Sequence, residues 1–271
     1  MTPSVSIGMP VLNGERTLSR ALESLDQQRF SDYEICISDN ASTDATGEII
    51  RTAKKKNPRI QSFRQSRTLQ ASANFHFVLN QSRGKYFMWA AADDLWSPNF
   101  LDANVRSLEK NSGWVASAAK NQHPNDPLRA ITFECLGDKF MRLKKLLQNI
   151  WDSHAIFYSL MRTEVIRKCP QLGKTSPAAD WAIDCFLVGQ GEVGRVENAE
   201  IYFGNEGFSH QKNPYRAFSP TWMDRIWPTA RFTKCALTAM KGLSFAQKIR
   251  LNRYLLKING EVLQGHYGRE R

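Results

Sequence analysis

Two adjacent carboxylates, Asp93-Asp94, close the apolar run Phe87-Met88-Trp89-Ala90-Ala91-Ala92 and precede Leu95-Trp96-Ser97-Pro98. Neighbouring carboxylates at the end of a buried strand repel each other. A divalent cation relieves that repulsion, and Mg2+ or Mn2+ favours one or two carboxylates plus substrate phosphates. The same pair could instead cap a helix or make a turn before Ser97-Pro98, and the local sequence leaves both readings open. Other familiar chemistries lack their residues. There is no G-x-x-x-x-G-K-[ST] loop and no G-x-G-x-x-G after a strand, which removes the main support for those phosphate cradles. No His-Glu-x-x-His or G-x-S-x-G occurs either.

The elements that must position these carboxylates alternate between strand and helix. Val5–Leu12 reads as a strand, Asn13-Gly14 as a turn, and Glu15–Gln28 as a helix with Leu18, Leu22 and Leu25 on one face. Strand Tyr33–Ser38 ends in Asp39-Asn40-Ala41-Ser42, helix Asp44–Lys56 follows, and Ile60–Arg64 is a weak strand. Helix Ala71–Gln81 leads to strand Tyr86–Ala91; Ser97-Pro98 then reads as the N-cap and first turn of a helix, and Trp114–Ala119 as a strand. This alternation predicts parallel βαβ units in an open α/β sheet. Ligands bind such sheets outside the carboxyl ends of the strands. Pro10–Glu15, Asp39–Asp44 and Ala92–Trp96 all fall there, and all are polar or turn-like.

The second half is less regular. Residues 120–137 read as a loop, Phe140–Trp151 as a basic amphipathic helix, Ala155–Met161 as a strand, Ala178–Val188 as a helix and Arg195–Phe203 as one or two strands. From Phe218 onward the pattern is helical, broken at Pro220, Pro228 and Gly242.

Composition narrows the class. The 271 residues are 42% hydrophobic and 23% charged, which suits a folded soluble protein rather than a disordered one. No apolar run is long enough to span a bilayer, and the first residues do not read as a secretory signal. Five cysteines without Cys-x-x-Cys spacing argue against disulfides and zinc, so a reducing cytoplasm is expected. The net charge of +11 is concentrated in residues 212–271, which carry twelve Lys/Arg against three Asp/Glu. A basic tail on a near-neutral body implies an acidic partner.

Four segments in order give the chain a family likeness. Val5-Ser6-Ile7-Gly8-Met9-Pro10-Val11-Leu12-Asn13-Gly14-Glu15 resembles the first strand and turn of the family 2 glycosyltransferases, which have the GT-A fold. Phe30–Asp44 resembles their second strand and Asp-x-x-Ser-x-Asp loop. Ala73-Asn74 and Ser82-Arg83-Gly84-Lys85-Tyr86 resemble the approach to their Asp-x-Asp strand, and Asp93-Asp94-Leu95-Trp96-Ser97-Pro98 the end of that motif. The likeness is dense over residues 4–112. It implies an inverting glycosyltransferase with a nucleotide-sugar donor, uridine-linked by expectation, and Mg2+ or Mn2+ at the diphosphate.

The resemblance also implies residue roles. Pro10, Asn13 and Glu15 would line the nucleoside pocket. Asp39 would accept the imide N–H of a uracil or thymine ring, a role suited to an acceptor-only carboxylate. Arg67 would lie against the nucleotide, or else be a solvated strand-end arginine. Asp93 and Asp94 would hold ribose and metal, in an order the sequence does not assign. The family often writes Asp-x-Asp-Asp here; this chain has Ala91-Ala92-Asp93-Asp94, which puts the strength of metal binding in question.

In the matching helix start, Ala178-Ala179-Asp180-Trp181-Ala182-Ile183-Asp184, the resemblance makes Asp180 the base for the acceptor hydroxyl. Asp180 could also serve as an N-cap, and Asp184 lies one turn on with its direction unsettled by Ile183 and Phe186. The family usually has a histidine here that can touch the metal; in this chain Glu206 stands roughly in its place with His210 nearby, and the resemblance lets either serve as that metal contact.

The expected organisation is a GT-A domain over 1–211, with a nucleotide-sugar half at 1–119 and an acceptor half at 120–211, and a basic helical extension over 212–271. In the extension Phe245, Ile249, Leu255, Leu256 and Ile258 alternate with Lys248, Arg250, Arg253 and Lys257, near Trp222, Trp227 and Phe232. That pattern suits a helix on an anionic membrane or one packed on the domain with a solvated basic face. The expected duty is synthesis of bacterial surface polysaccharide or lipid-linked oligosaccharide, with a saccharide or lipid-linked saccharide acceptor, at the inner face of a membrane. A weakened relative that binds a membrane or partner is the alternative. Nucleic-acid binding, suggested by the basic tail, has no motif behind it; a nucleotidyltransferase, which shares the sheet type, is a further alternative and would release pyrophosphate in place of a nucleoside diphosphate.

Overall fold

The computed structural model describes residues 2–122, 133–206 and 226–267. Eight strands form one twisted, mixed sheet: β1 (Val5–Val11), β2 (Tyr33–Asp39), β3 (Ile60–Arg64), β4 (Tyr86–Trp89), β5 (Leu95–Trp96), β6 (Trp114–Gln122), β7 (Leu160–Arg162) and β8 (Glu192–Tyr202). Their order is β3-β2-β1-β4-β7-β6-β8-β5. The strands β3, β2, β1 and β4 run parallel, as the βαβ pattern predicts, and β6 is parallel to β8. Antiparallel pairing enters through β7 and β5.

The chain builds outward from β1 to β3 and then returns to place β4 on the other side of β1. That reversal opens a crevice at the carboxyl ends of β1 and β4, where ligands of such sheets bind. Ladder pairing between β1 and β4 ends at Gly8 and Trp89, so Pro10, with no N–H to donate, lies beyond it.

Both sheet faces are covered because β4 alternates. Tyr86 and Met88 join one core with Leu18, Leu22, Leu25 and Phe100, while Phe87 and Trp89 join the other. Helices α1 (Leu18–Asp26), α2 (Thr46–Lys56), α3 (Ala71–Gln81) and α4 (Phe100–Lys110) follow the first strands. Residues of the family-like segments before β4 tie these layers together. Asn74 is buried on α3, accepts from Ser38 Oγ at 2.6 Å and donates to the Ser38 carbonyl at 3.2 Å. Arg83 grips the buried Glu34 carboxylate. Gly84 packs where a Cβ would lie 2.6 Å from the Ser6 nitrogen.

Several local expectations change. Ser97 is no helix cap: it bonds Glu200 through both backbone and hydroxyl, extending the short β5–β8 pair, and the helix starts at Phe100. The segment read as strand Ala155–Met161 divides into helix α6 (His154–Phe157) and strand β7. It follows α5 (Lys139–Gln148), which ends before the expected Trp151 and gives way to a 3-10 turn. A short helix buried on all sides has no periodicity to separate it from a strand. Helix α7 (Thr163–Ile166) and α8 (Ala179–Gln190) lead into a single β8, and β6 runs three residues beyond Ala119. Of the 120–137 loop, residues 123–132 lie outside the described residues.

The extension contributes α9 (Ala230–Ala239) and α10 (Phe245–Tyr267), joined through Gly242 in a left-handed conformation. Both pack on the body: Phe232 meets Trp181, and Leu251, Leu255, Ile258 and Val262 enter the core that α5 and α8 share. At roughly 1.5–3 kcal/mol per fully buried aliphatic side chain, those four anchor α10 firmly. Trp222 lies outside the described residues. All five cysteines are unpaired, and burial pushes the thiols of Cys36, Cys135 and Cys169 up to about 12, leaving them inert.

Candidate active site

The loops after β1 and β2 interlock. Asn13 turns the chain with φ 52°, a left-handed geometry asparagine tolerates. Its Oδ1 accepts from Thr43 N at 2.9 Å, and its own N–H donates to Ser42 Oγ at 2.9 Å. Glu15 and Asp44 bond reciprocally, Glu15 N to Asp44 Oδ2 and Ala45 N to Glu15 Oε2, each at 3.0 Å. Burial works against the Asp44 charge, but the Thr46 hydroxyl and the Glu15 and Thr46 N–H groups outweigh it and hold its carboxyl below the ordinary value. Asn13 and Glu15, which the resemblance assigns to the nucleoside, thus use their side chains to hold the loop after β2.

Asp39 is buried at the end of β2. Ser42 N donates to its Oδ1 at 2.8 Å, and Arg64 pairs with its Oδ2. The Arg64 Nη2 also reaches the Ser42 carbonyl at 2.8 Å, so one guanidinium fixes both the carboxylate and its loop. Sequence reasoning missed Arg64; the signal was its place directly opposite Asp39 in the parallel register of β2 and β3. Arg67 is exposed in the segment after β3.

Across the crevice, Asp93 and Asp94 make the turn between β4 and β5 and cap no helix. Asp94 is buried. Gly204 N donates to its Oδ1 at 2.9 Å, while its buried Oδ2 has no partner among the described residues. Burial pushes the Asp94 carboxyl up to about 7, the Gly204 bond works against the rise, and the Asp93 charge adds to it. Asp93 Oδ2 accepts from Glu206 N at 3.0 Å. The Glu206 side chain turns to Arg16, 3.4 Å away, and bridges the loops after β1 and β8. His210 lies outside the described residues.

Among the described residues, no three His, Cys, Asp or Glu side chains form a metal cage. The orphaned Asp94 oxygen beside Asp93 nevertheless fits Mg2+ or Mn2+, whose shells are commonly completed by phosphate and water.

Asp180 stands in the first turn of α8. The N-cap is Ala178, which has φ 55° and no capping side chain, so the capping role expected of Asp180 is not observed. Among the described residues the Asp180 carboxylate has no hydrogen-bond partner. Asp184 points the other way: it is fully buried and accepts from Ser153 Oγ at 2.7 Å, which removes it as a base for an external hydroxyl. Ties between Ser72 and Thr175 (2.6 Å) and from Arg231 to the Thr175 carbonyl (2.6 Å) seat the loop before α8 against α3 and α9.

Tyr158, which no motif marked, joins the two sides. Burial raises its phenol well above the ordinary value, and the charges of Asp94, Asp93 and Asp180 raise it further. Carboxylate charges from both β4–β5 and α8 thus bear on one phenol. Its ring packs on Phe203, the residue before Gly204. The three non-glycine residues with left-handed backbone in the described structure, Asn13, Ala41 and Ala178, all flank these segments. Such strain gathers at functional sites.

This is the GT-A arrangement, and the chain belongs to glycosyl transferase family 2, whose family model matches residues 6–169. Among curated relatives, the putative glycosyltransferase EpsE of Bacillus subtilis (strain 168) is 33% identical over 110 residues, 40% of this chain and 40% of that protein. The glycosyltransferase GlyA of Streptococcus pneumoniae serotype 4 is 23% identical over 94% of this chain and 37% of its own length. The chain thus spans two fifths or less of these relatives. Among solved structures, S. aureus TarS 1–349 in complex with UDP-GlcNAc superposes with a TM-score of 0.62 at 13% identity, over 99% of this chain and 82% of that one. The mannosyltransferase PcManGT from Pyrobaculum calidifontis, in complex with GDP-Man and Mn2+, gives 0.63 at 13% identity, over 99% and 74%.

Proposed function

We propose that the protein is an inverting, metal-dependent glycosyltransferase that moves a sugar from a nucleoside diphosphate, a UDP-sugar first, to a hydroxyl acceptor. The observation that carries this is the buried Asp94 carboxylate beside Asp93 in the turn after β4, which takes the Gly204 N–H on one oxygen and has no partner among the described residues on the other. The TarS complexes with UDP and UDP-GlcNAc support a nucleotide-sugar donor, and the Mn2+ in PcManGT supports a metal. In this reading residues 1–119 bind the donor, residues 120–211 meet the acceptor, and 212–271 form the extension. Pro10, Asn13, Glu15 and Asp39 form the nucleoside wall, Arg67 approaches the nucleotide, and Asp93 and Asp94 hold ribose and Mg2+ or Mn2+, with His210 a further metal contact.

When bound, the cation would neutralise the charge that develops on the diphosphate leaving group. Asp180 accepts the proton of the acceptor hydroxyl as that oxygen attacks the anomeric carbon. Attack in line with the departing diphosphate inverts the anomeric configuration. The Asp180 carboxylate has no hydrogen-bond partner among the described residues, whereas the Asp184 carboxyl is already committed to Ser153.

EpsE, GlyA and a chondroitin synthase among the relatives support a place in surface polysaccharide or lipid-linked oligosaccharide synthesis. A lipid-linked acceptor would bring the protein to the inner face of a membrane. No helix among the described residues is long and apolar enough to cross one, so contact would be peripheral.

The test is a calorimetric titration of UDP and dTDP, with and without Mn2+, into wild type and Asp39→Ala. Metal-dependent UDP binding lost in the variant supports the donor site. Binding of neither nucleotide turns the search to GDP and CMP, and binding of none of them overturns the reading.

A further inference from the structure

A cleft of about 390 Å3 lies between α5 and α10, lined by none of the strand-end residues. Its walls are Phe140 and Lys144 from α5 and Arg250, Arg253, Tyr254 and Lys257 from α10. Four of these six side chains are cationic and none is acidic. The i, i+3, i+7 spacing puts the three α10 cations on one helix face, while Leu251, Leu255, Ile258 and Val262 hold another face in the core. The cleft is rigidly framed. Gln148 Nε2 donates to the Tyr254 hydroxyl at 3.0 Å, and Trp151 Nε1 donates to Glu261 Oε2 at 2.8 Å. Lys257 lies 3.5 Å from Glu261, but among the described residues no carboxylate pairs with Lys144, Arg250 or Arg253.

A third face of α10 carries Phe245, Ile249 and Leu256, which are 80%, 41% and 59% exposed. At 3.6 residues per turn they fall within an arc of roughly 40°, next to Arg253. The helix therefore has an anchored stripe, a cationic stripe over a cleft, and an uncovered apolar stripe alongside. An interfacial helix shows an anionic bilayer these last two: cations for headgroup phosphates and apolar side chains for the acyl boundary.

We infer that the α5–α10 cleft and the adjoining Phe245–Ile249–Leu256 stripe form a docking surface for an anionic lipid bilayer. Lys144, Arg250, Arg253 and Lys257 hold lipid phosphates there. The inference gives the membrane contact of the proposed function its residues, and it depends on that reading for its purpose but not for its chemistry.

The test is flotation of the full chain with vesicles of phosphatidylcholine alone or mixed with phosphatidylglycerol. Wild type is compared with Arg250→Ala/Arg253→Ala and Phe245→Ser/Leu256→Ser. All four side chains are exposed, and unchanged melting curves check the fold. The expected result is binding to the phosphatidylglycerol vesicles only, weakened about thirty-fold by loss of the two arginines. The serine variant should lose the binding that survives high salt. Equal binding to both vesicle types, binding to neither, or indifference to both variants overturns the inference. Binding of soluble pyrophosphate without vesicle binding also overturns it and assigns the cleft to a free phosphate compound. UDP titration of the same variants separates the two claims. Vesicle binding without nucleotide binding would sink the enzyme reading alone, and the reverse would sink only this one.

Discussion

The backbone N–H of Gly204 donates to Asp94 Oδ1 at 2.9 Å, and the other, buried oxygen of that carboxylate has no partner among the described residues. The approach is possible only because residue 204 has no side chain: a Cβ there would lie 2.5 Å from Asp93 Cγ. Gly204→Ala must displace the Asp93–Asp94 turn or the strand end. UDP binding in the presence of Mn2+ should weaken at least about tenfold, with a stability loss in the usual overpacking range of about 1–3 kcal/mol. Titration calorimetry and thermal melts read both, and unaltered nucleotide affinity would remove the turn from the donor site.

The Asp94 carboxyl, pushed up to about 7 by burial, makes metal binding compete with a proton. A cation takes the carboxylate form, so affinity for Mn2+ should fall as pH drops below about 7, approaching roughly tenfold per unit. Binding near pH 6 should release a proton, visible as a binding heat that varies with the ionisation enthalpy of the buffer. Buffer-independent heats and constant affinity between pH 6 and 8 would show that Asp94 does not hold the metal.

What could be read from the chain follows from where periodicity and placement were strong. β1, β2 and β4 are largely apolar runs and β3 a weaker one, separated by helices, and the carboxylates at the ends of β2 and β4 could be located before any coordinates. Arg64 was missed because its importance is a cross-strand fact: it matters through Asp39, which is distant in sequence and adjacent in the sheet. Tyr158 was missed because Ala155, Ile156 and Phe157 are all buried, so nothing showed that the chain turns there to leave a phenol among carboxylates. Of the two readings of the extension, the structure shows the packed one: Leu251, Leu255, Ile258 and Val262 enter the core, while Phe245, Ile249 and Leu256 and the cations of α10 stay outside it.

Asp184 shows how burial separates two carboxylates on one helix. Burial raises its carboxyl well above the ordinary value, partly offset by the Ser153 bond and reinforced by the Asp180 charge. A carboxyl raised in the folded state is neutral there while its unfolded counterpart ionises. Stability is therefore greatest below the unfolded value and declines as pH rises from about 4 toward the folded value. Asp184→Asn removes that ionisation. Its melting temperature should vary less between pH 4 and 8 than that of wild type and should equal or exceed it at pH 8. Asp184→Ala strands the Ser153 hydroxyl and leaves a cavity, and should melt lower at every pH. An Asn variant with the wild-type pH slope would contradict a neutral Asp184.

Asp180 has no bonding partner among the described residues, and Trp181 beside it is locked against Trp151 and Phe232. The helix start is thus rigid while the carboxylate is free, the combination a general base needs. Asp180→Asn keeps the shape and removes the basicity. With a UDP-sugar and acceptor established, kcat should fall by roughly 10²–10⁴, the range typical of a lost acid–base group. UDP affinity should stay within about twofold, because the side chain meets the acceptor and not the nucleotide. Asp184→Asn serves as the contrast and should leave kcat nearly intact. If donor hydrolysis and transfer both survive in Asp180→Asn, the base lies elsewhere. If UDP binding collapses as well, the carboxylate belongs to the donor site, and the division between the strand-end carboxylates and α8 has to be redrawn.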